Sequence, residues 1–419
     1  MRLTFANTTV TVEIPDDPHM LSALRAAAPG WLFAESSGDD EPVATIRGQN
    51  GIYEINIPGQ NPIAATAVSA ACSAMVDFAS AYIDDNPVRF CFHCGAALFA
   101  GRLVMFPSRS HAGKSTLIGR LAASGHVIFC DDILPVSEDG RAVALGIAPR
   151  LRLPLPPAAG PQFRQFVSRH TGASDGRYLY LNLPDGGLAP HSSTAPLGAL
   201  VLLDRRPEGP AALGRASRSD ILQSLIMRNF AREAPAAQLL NELHDMMDTL
   251  PRLVLRYSCL EEATALLEET FATWPPRIDT SAQAALPDME PIGPDVESEE
   301  RGVPPTRDLS YPLETPLMQN PKVSLRAVDG NLFLVDAEGL SIYRLNTIGA
   351  GLWNLLAKPI NRQDAAQVLC GAFPDVDHTA ITQDIARLFA ALARARFILP
   401  SASAHSFKRL SRIFPGPPE

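Results

Sequence analysis

The sequence predicts an α/β protein with a strand–loop–helix core, a small N-terminal α/β unit and a winged-helix-like C-terminal unit. Strand and helix periods alternate over residues 1–275. A proline- and acid-rich stretch, residues 276–316, then interrupts them. Beyond it, three short strand patterns precede three helical ones and a last strand.

The elements follow in order. In residues 1–87, "RLTFANTTVTVEI" has period-two apolar spacing, "HMLSALRAAA" is helical, and "VATIRG" and "GIYEINIP" pair across Gln49-Asn50-Gly51. An alanine-rich helix should begin near Pro62 and end before "DDNP". Residues 88–275 open with the strands of "VRFCFHCGAALFAG" and "RLVMF", then a loop, the helix "STLIGRLAASG" and the strand "HVIFC". Further strands ("AVALGI", "PRLRLPL", "RYLYLNL", "LGALVLLD") and helices follow to Pro275. The composition of 276–316 predicts an extended, mobile linker. Residues 317–400 form the C-terminal unit, and 401–419 a basic tail with no clear fold.

Composition excludes several classes of function. The 419 residues are 46% hydrophobic, enough to bury real cores. A net charge of −9 and the lack of a basic stripe outside the tail argue against nucleic-acid binding. No apolar run is long enough to span a bilayer, and the start lacks the apolar segment of a signal peptide, so a cytoplasmic protein without a membrane partner is expected. The six cysteines follow no disulfide spacing. Cys91, His93 and Cys94 in "FCFHC" have no second knuckle to complete a zinc site, and strand positions explain them better.

The chemistry concentrates in "FPSRSHAGKST". The phosphate-loop pattern fits at Gly113, Lys114 and Ser115, although Ser108 stands where the first glycine belongs and His111 where glycine is common. Such a loop, comprising Ser108, Ser110, His111, Ala112, Gly113, Lys114, Ser115 and Thr116, aims backbone N–H groups into a cavity at a helix N-terminus. Lys114 would then reach the phosphates of ATP and the Ser115 hydroxyl would ligate Mg²⁺. The next strand ends in Asp131-Asp132, adjacent carboxylates that are costly to bury without a metal or a proton-transfer role.

Together, "FPSRSHAGKSTLIGRLAASGHVIFCDD" resembles the core of HPr kinase/phosphorylase, whose G-x-S-G-x-G-K-S loop precedes a helix, R-G-H, a strand and D-D. Ser110, Gly113, Lys114, Ser115, Gly125, His126, Asp131 and Asp132 occupy matching places, and His93 in "HCGAALFAG" has the family's offset before the lysine. The resemblance covers about residues 88–270 and implies a P-loop kinase that moves a phosphoryl group from ATP to a hydroxyl, usually serine. By position, Asp131 would be the general base, Asp132 would hold Mg²⁺ with Ser115, and His93 would line the acceptor side. The family's E-I-R-G-L-G-I signature falls near "RAVALGIAPRLRLPL", where Gly146 and Ile147 match but the metal-binding glutamate position is apolar. This implies one Mg²⁺ ligand fewer and an HPr kinase relative rather than the carbon-catabolite regulator itself. Arg150 and Arg152 are candidate phosphate clamps, or surface pairs.

Residues 317–400 resemble PqqD-like peptide-recognition domains in "GLSIYRLNTIGAGLWNLL" and "DIARLFAALARARFILP". That resemblance implies capture of a precursor-peptide leader as an added strand. A DNA-binding winged helix would need a basic recognition helix, which "NRQDAAQVLCGAF" is not. The combined expectation is an ATP- and Mg²⁺-dependent kinase of a precursor peptide or small protein, with a homo-oligomer open. A nucleotide-binding peptide scaffold or sensor and a small-molecule kinase are the alternatives.

Overall fold

A computed structural model describes residues 1–38, 41–59, 61–107, 112–157, 159–229, 235–276, 311–312, 314–329, 331–335, 342–345, 347–372 and 377–401. Ser108, Ser110, His111, Asn346, the tail after Ser401 and nearly all of the 276–316 stretch lie outside them. The protein is mixed α/β and divides into two compact units: residues 1–232 with 246–292, and residues 233–245 with 293–419.

The first unit begins with β1 (Arg2–Phe5), β2 (Val12–Glu13), α1 (Pro18–Ala27), β3 (Phe33–Glu35), β4 (Ala44–Gln49), β5 (Ile52–Asn56), β6 (Ile63–Thr66) and α2 (Ala67–Asp85). The strands form one six-stranded sheet in the order β3-β1-β2-β4-β5-β6. Two expectations change here. The period-two stretch at the start is two strands, because the chain turns at Asn7 with φ 62°. The alanine-rich helix starts at Ala67 instead of near Pro62, because Ile63–Thr66 pairs with β5 and the Thr66 hydroxyl then caps the helix by accepting from the Ser69 N–H.

Next come β7 (Val88–His93), β8 (Gly95–Phe99), β9 (Arg102–Phe106), α3 (Lys114–Ala123), β10 (Ile128–Cys130), β11 (Ile133–Ser137), β12 (Arg141–Val143), β13 (Arg150–Arg152), α4 (Pro161–Arg169), β14 (Thr171–Ser174), β15 (Tyr178–Leu181), β16 (Thr194–Arg205), β17 (Ala212–Arg215), α5 (Arg218–Arg228), α6 (Ala236–Thr249), whose first ten residues count with the second unit, β18 (Arg252–Tyr257) and α7 (Leu260–Thr270). Nine of these strands join one sheet, with β10-β8-β9-β16-β12-β11-β7 in line and β18 and β17 branching from β16. Central β9, β16 and β18 run parallel and read as near-continuous apolar runs, as strands covered on both faces do. The "AVALGI" stretch yields only β12, because the chain leaves the sheet after Val143.

The N-terminal part does not bury its core alone. Val143, Leu145, Ala148 and Tyr180 belong to the same buried cluster as Leu3, Trp31 and Phe78. Gly146, at φ 76°, brings its backbone against Gly30, whose N–H donates to the Gly146 carbonyl at 3.0 Å. A Cβ on Gly146 would fall 2.4 Å from the Gly30 carbonyl carbon, so glycine is required for both conformation and space.

In the second unit, β19 (Leu317–Gln319), β20 (Ser324–Val328), β21 (Asn331–Val335) and β22 (Ile342–Leu345) precede α8 (Thr347–Leu355), α9 (Arg362–Ala372), α10 (His378–Arg394) and β23 (Ile398–Pro400). Strands β20, β21 and β22 form an antiparallel sheet, while β19 pairs with β23. Helix α10 presents Ile381, Ile385, Phe389 and Leu392, spaced three and four apart, to a core shared with Leu334, Leu352 and Trp353. The predicted order of three strands, three helices and a final strand is present, with β19 added.

Candidate functional site

Several segments of the first unit converge where α3 begins. Strand β9 leads into the loop, and α3 starts at Gly113, whose φ of 89° and ψ of 13° lie in the left-handed region that glycine adopts freely. No side chain caps this helix, and its first backbone bond runs from Leu117 N–H to the Gly113 carbonyl at 2.9 Å. The earlier amides of the turn therefore have no intrahelical acceptor, at the end where the helix dipole is positive. The Tyr257 hydroxyl, at the end of β18, donates to the Ala112 carbonyl at 3.3 Å and braces the loop.

Lys114 is the first residue of α3, and its side chain is only 9% exposed. Its Nζ stands 3.7 Å from Asp132 Oδ1 and has no hydrogen-bond partner among the described residues. An ammonium so withdrawn from water is costly unless an anion completes its surroundings. Gly95 at the start of β8 makes the approach possible: a Cβ there would fall 2.7 Å from Ile118 Cγ1 and 3.1 Å from Lys114 Cγ.

The paired carboxylates sit between β10 and β11, where the register sets Ile133 opposite His93. The Cys94 N–H donates to the Asp132 carbonyl at 3.1 Å, and His93 Nε2 lies 3.0 Å from Asp132 Oδ1. Asp131 is buried and accepts the Arg150 N–H on Oδ2 at 3.0 Å. Burial, then the neighbouring Asp132 charge, pushes the Asp131 carboxyl up to about 6. Burial also opposes ionisation of Asp132, but the bond and charge of His93, with Lys114 and Arg150, hold it well below the usual carboxylate range. The two acids are thus split into one that takes a proton near neutrality and one that stays charged.

Of the residues picked out in the sequence, His93, Lys114, Asp131 and Asp132 are brought together, and Ala112, Gly113, Ser115 and Thr116 form the adjoining helix start. His126 instead braces β8 to α7, contacting the Leu98 carbonyl at 3.2 Å and Glu268 Oε1 at 3.3 Å. Arg150 places its guanidinium 4.5 Å from the Tyr178 ring centroid while its backbone serves Asp131. Arg205 and Tyr257, which no spacing from the loop marks, line a small recess with Gly113 and Thr116. Cys91 and Cys94 are buried strand-region residues, and among the described residues no three His, Cys, Asp or Glu side chains come together as a metal cluster.

Residues 331–398 match the family described as coenzyme PQQ synthesis protein D (PqqD). The C-terminal unit therefore contains a PqqD-like domain. Among solved structures, one titled "TbiB1 in Complex with the TbiA(beta) Leader Peptide" is 18% identical, with 19% of this chain and 93% of that chain covered and a TM-score of 0.18. No curated protein matches the chain. No helix among the described residues is long and apolar enough to cross a membrane.

Proposed function

We propose that the first unit is an HPr kinase-like P-loop kinase that transfers a phosphoryl group from ATP to a hydroxyl. The acceptor is a serine of a ribosomally made precursor peptide held by the PqqD-like domain, in peptide natural-product modification. The observation that carries this reading is Lys114: its buried Nζ has no hydrogen-bond partner among the described residues, beside an uncapped helix start and opposite two carboxylates. Phosphate oxygens fit that set, since the first-turn amides and the ammonium are all donors.

Ser115 and Asp132 would hold Mg²⁺, which neutralises charge on the phosphate oxygens when bound. Two protein ligands suit this cation, because it keeps waters and phosphates in its shell. His93 orients Asp132 through their 3.0 Å contact and keeps it ionised. Asp131, with its raised pKa, takes the acceptor's proton: the hydroxyl oxygen bonds to the γ-phosphorus, the bond to the β,γ-bridging oxygen breaks, and ADP leaves. Gly113 and Thr116 lie with Arg205 and Tyr257 around a small recess beside the helix start.

The match of residues 331–398 to PqqD supports a peptide partner. Strands β20 and β22 are the edges of their sheet among the described residues, and such an edge accepts an extended peptide as a further strand. Incubating the full chain with ATP, Mg²⁺ and the peptide encoded beside it, then weighing the peptide, tests the reading. A mass gain of one phosphate is expected, and an unmodified peptide overturns it.

A further inference from the structure

We propose that α2, from the N-terminal part of the first unit, forms one wall of the acceptor site, and that the site takes a hydroxyl-bearing residue flanked by an apolar side chain. The inference rests on the phosphoryl-transfer reading above and deepens it.

A small cleft opens onto Asp131 and Asp132. It shares no lining residue with the cavity beside Gly113 and Thr116, so the two recesses approach the reacting groups separately. Cys72, Met75 and Val76 line the cleft from α2. Their i, i+3, i+4 spacing puts them on one helical face, on which Met75 belongs with Ala71, Ala74 and Phe78 to the buried core while Val76 stands at its edge. Val76 remains 49% exposed at a place where the rest of the wall is covered.

The chemistry of the lining selects the occupant. Its charged groups are Asp131, Asp132 and Arg150, and Arg150 is already engaged with the Tyr178 ring and lies close enough to both carboxylates to be favoured by their charge. The remaining surface comes mainly from aliphatic and aromatic residues such as Phe129, Leu145 and Ile147. An acidic flanking residue would be repelled by the carboxylates and stripped of water without a partner. An apolar one gains from burial, and even a partly buried Leu-sized side chain is worth at least about tenfold in preference. The N-terminal part is thereby a specificity element, with α2 as its working surface.

The test uses the full chain, ATP, Mg²⁺ and two synthetic octapeptides, each with one serine flanked on both sides by either leucine or aspartate. The leucine peptide should be phosphorylated with at least about tenfold higher kcat/KM. Val76→Asp should erase that preference while melting temperature and binding of a fluorescent ATP analogue stay unchanged. A second readout is independent of turnover: the thiol introduced by Val76→Cys should be alkylated by N-ethylmaleimide several-fold more slowly with the leucine peptide present, as read at that position by mass spectrometry. Equal rates for the two peptides, or unslowed alkylation while a peptide is being phosphorylated, overturns the inference and leaves the kinase reading standing. Protection without any phosphorylation removes the kinase reading and retains the cleft as a peptide site. Neither protection nor phosphorylation overturns both.

Discussion

At the scale of single residues, Lys114 sets function against stability. Its Nζ is withdrawn from water, stands 3.7 Å from Asp132 Oδ1 and has no hydrogen-bond partner among the described residues. Lys114→Met keeps the stem and removes the unsatisfied charge, so the free protein should melt within about 3 °C of the parent. The thermal shift produced by ATP should vanish in the same assay, because the phosphate loses its buried cation. Asp131→Asn tests a different step. It should leave ATP binding intact and slow peptide phosphorylation by about 10²- to 10⁴-fold, the range expected when a general base is removed. Unchanged function in that variant would favour the scaffold reading. Asp77 offers a pH prediction outside the site. Burial pushes its carboxyl up to about 6, and its Oδ2 has no hydrogen-bond partner among the described residues. Because the folded pKa lies above the unfolded value of about 3.9, this residue costs nothing at low pH and destabilises increasingly as pH rises from about 4 through 6. Asp77→Asn should therefore stabilise the first unit at pH 7.5 by on the order of 1 kcal/mol, discounted for partial exposure, and little at pH 4. Thermal melts at the two pH values read the difference.

At the scale of elements, what the sequence made legible was whatever depends on near neighbours in the chain. The strand before Gly113, the helix after it and the strand running into Asp131-Asp132 all follow from local periodicity and turn residues. The family offset places His93 only relative to the lysine, and its contact with Asp132 was not readable, since it depends on β7 pairing with β11 across the sheet. Arg205, Tyr257 and the α2 wall were not readable at all: their strands and helix reach the site through parallel pairing and packing, which leave no fixed spacing. The start of α2 was misplaced because alanine-rich Ile63–Thr66 looks helical by propensity, while pairing with β5 outweighs that preference. Gly146 shows the same limit from the other side. In the sequence it stands only as a match to a family signature, and the structure gives it a packing duty against Gly30. Gly146→Ala would place a methyl group within 2.4 Å of the Gly30 backbone and force a side chain into φ 76°. A loss of about 2–4 kcal/mol in the first unit is expected from overpacking and backbone strain together, measured by denaturant titration. A variant as stable as the parent would mean that the two loops separate freely.

At the scale of the whole chain, a PqqD-like domain accompanies a first unit with a small cleft beside Asp131 and Asp132. Under the proposed function, contacts around one acceptor residue cannot by themselves select one peptide, so that selectivity would come from elsewhere. Under the proposed function, a peptide held by the PqqD-like domain would be offered to the first unit at raised local concentration. This division of labour makes a kinetic prediction that neither part makes alone. A precursor peptide trimmed to the segment around its acceptor serine should show KM raised by about 10²- to 10⁴-fold, the usual scale of an effective-concentration gain, with kcat nearly unchanged. Deleting residues 317–419 should impose the same penalty on the complete peptide and make the complete and trimmed peptides equivalent, with ATP binding retained. If trimming lowers kcat and leaves KM alone, the PqqD-like domain does more than capture: the bound leader would then have to alter the first unit's catalytic groups, and tethering would be the wrong account.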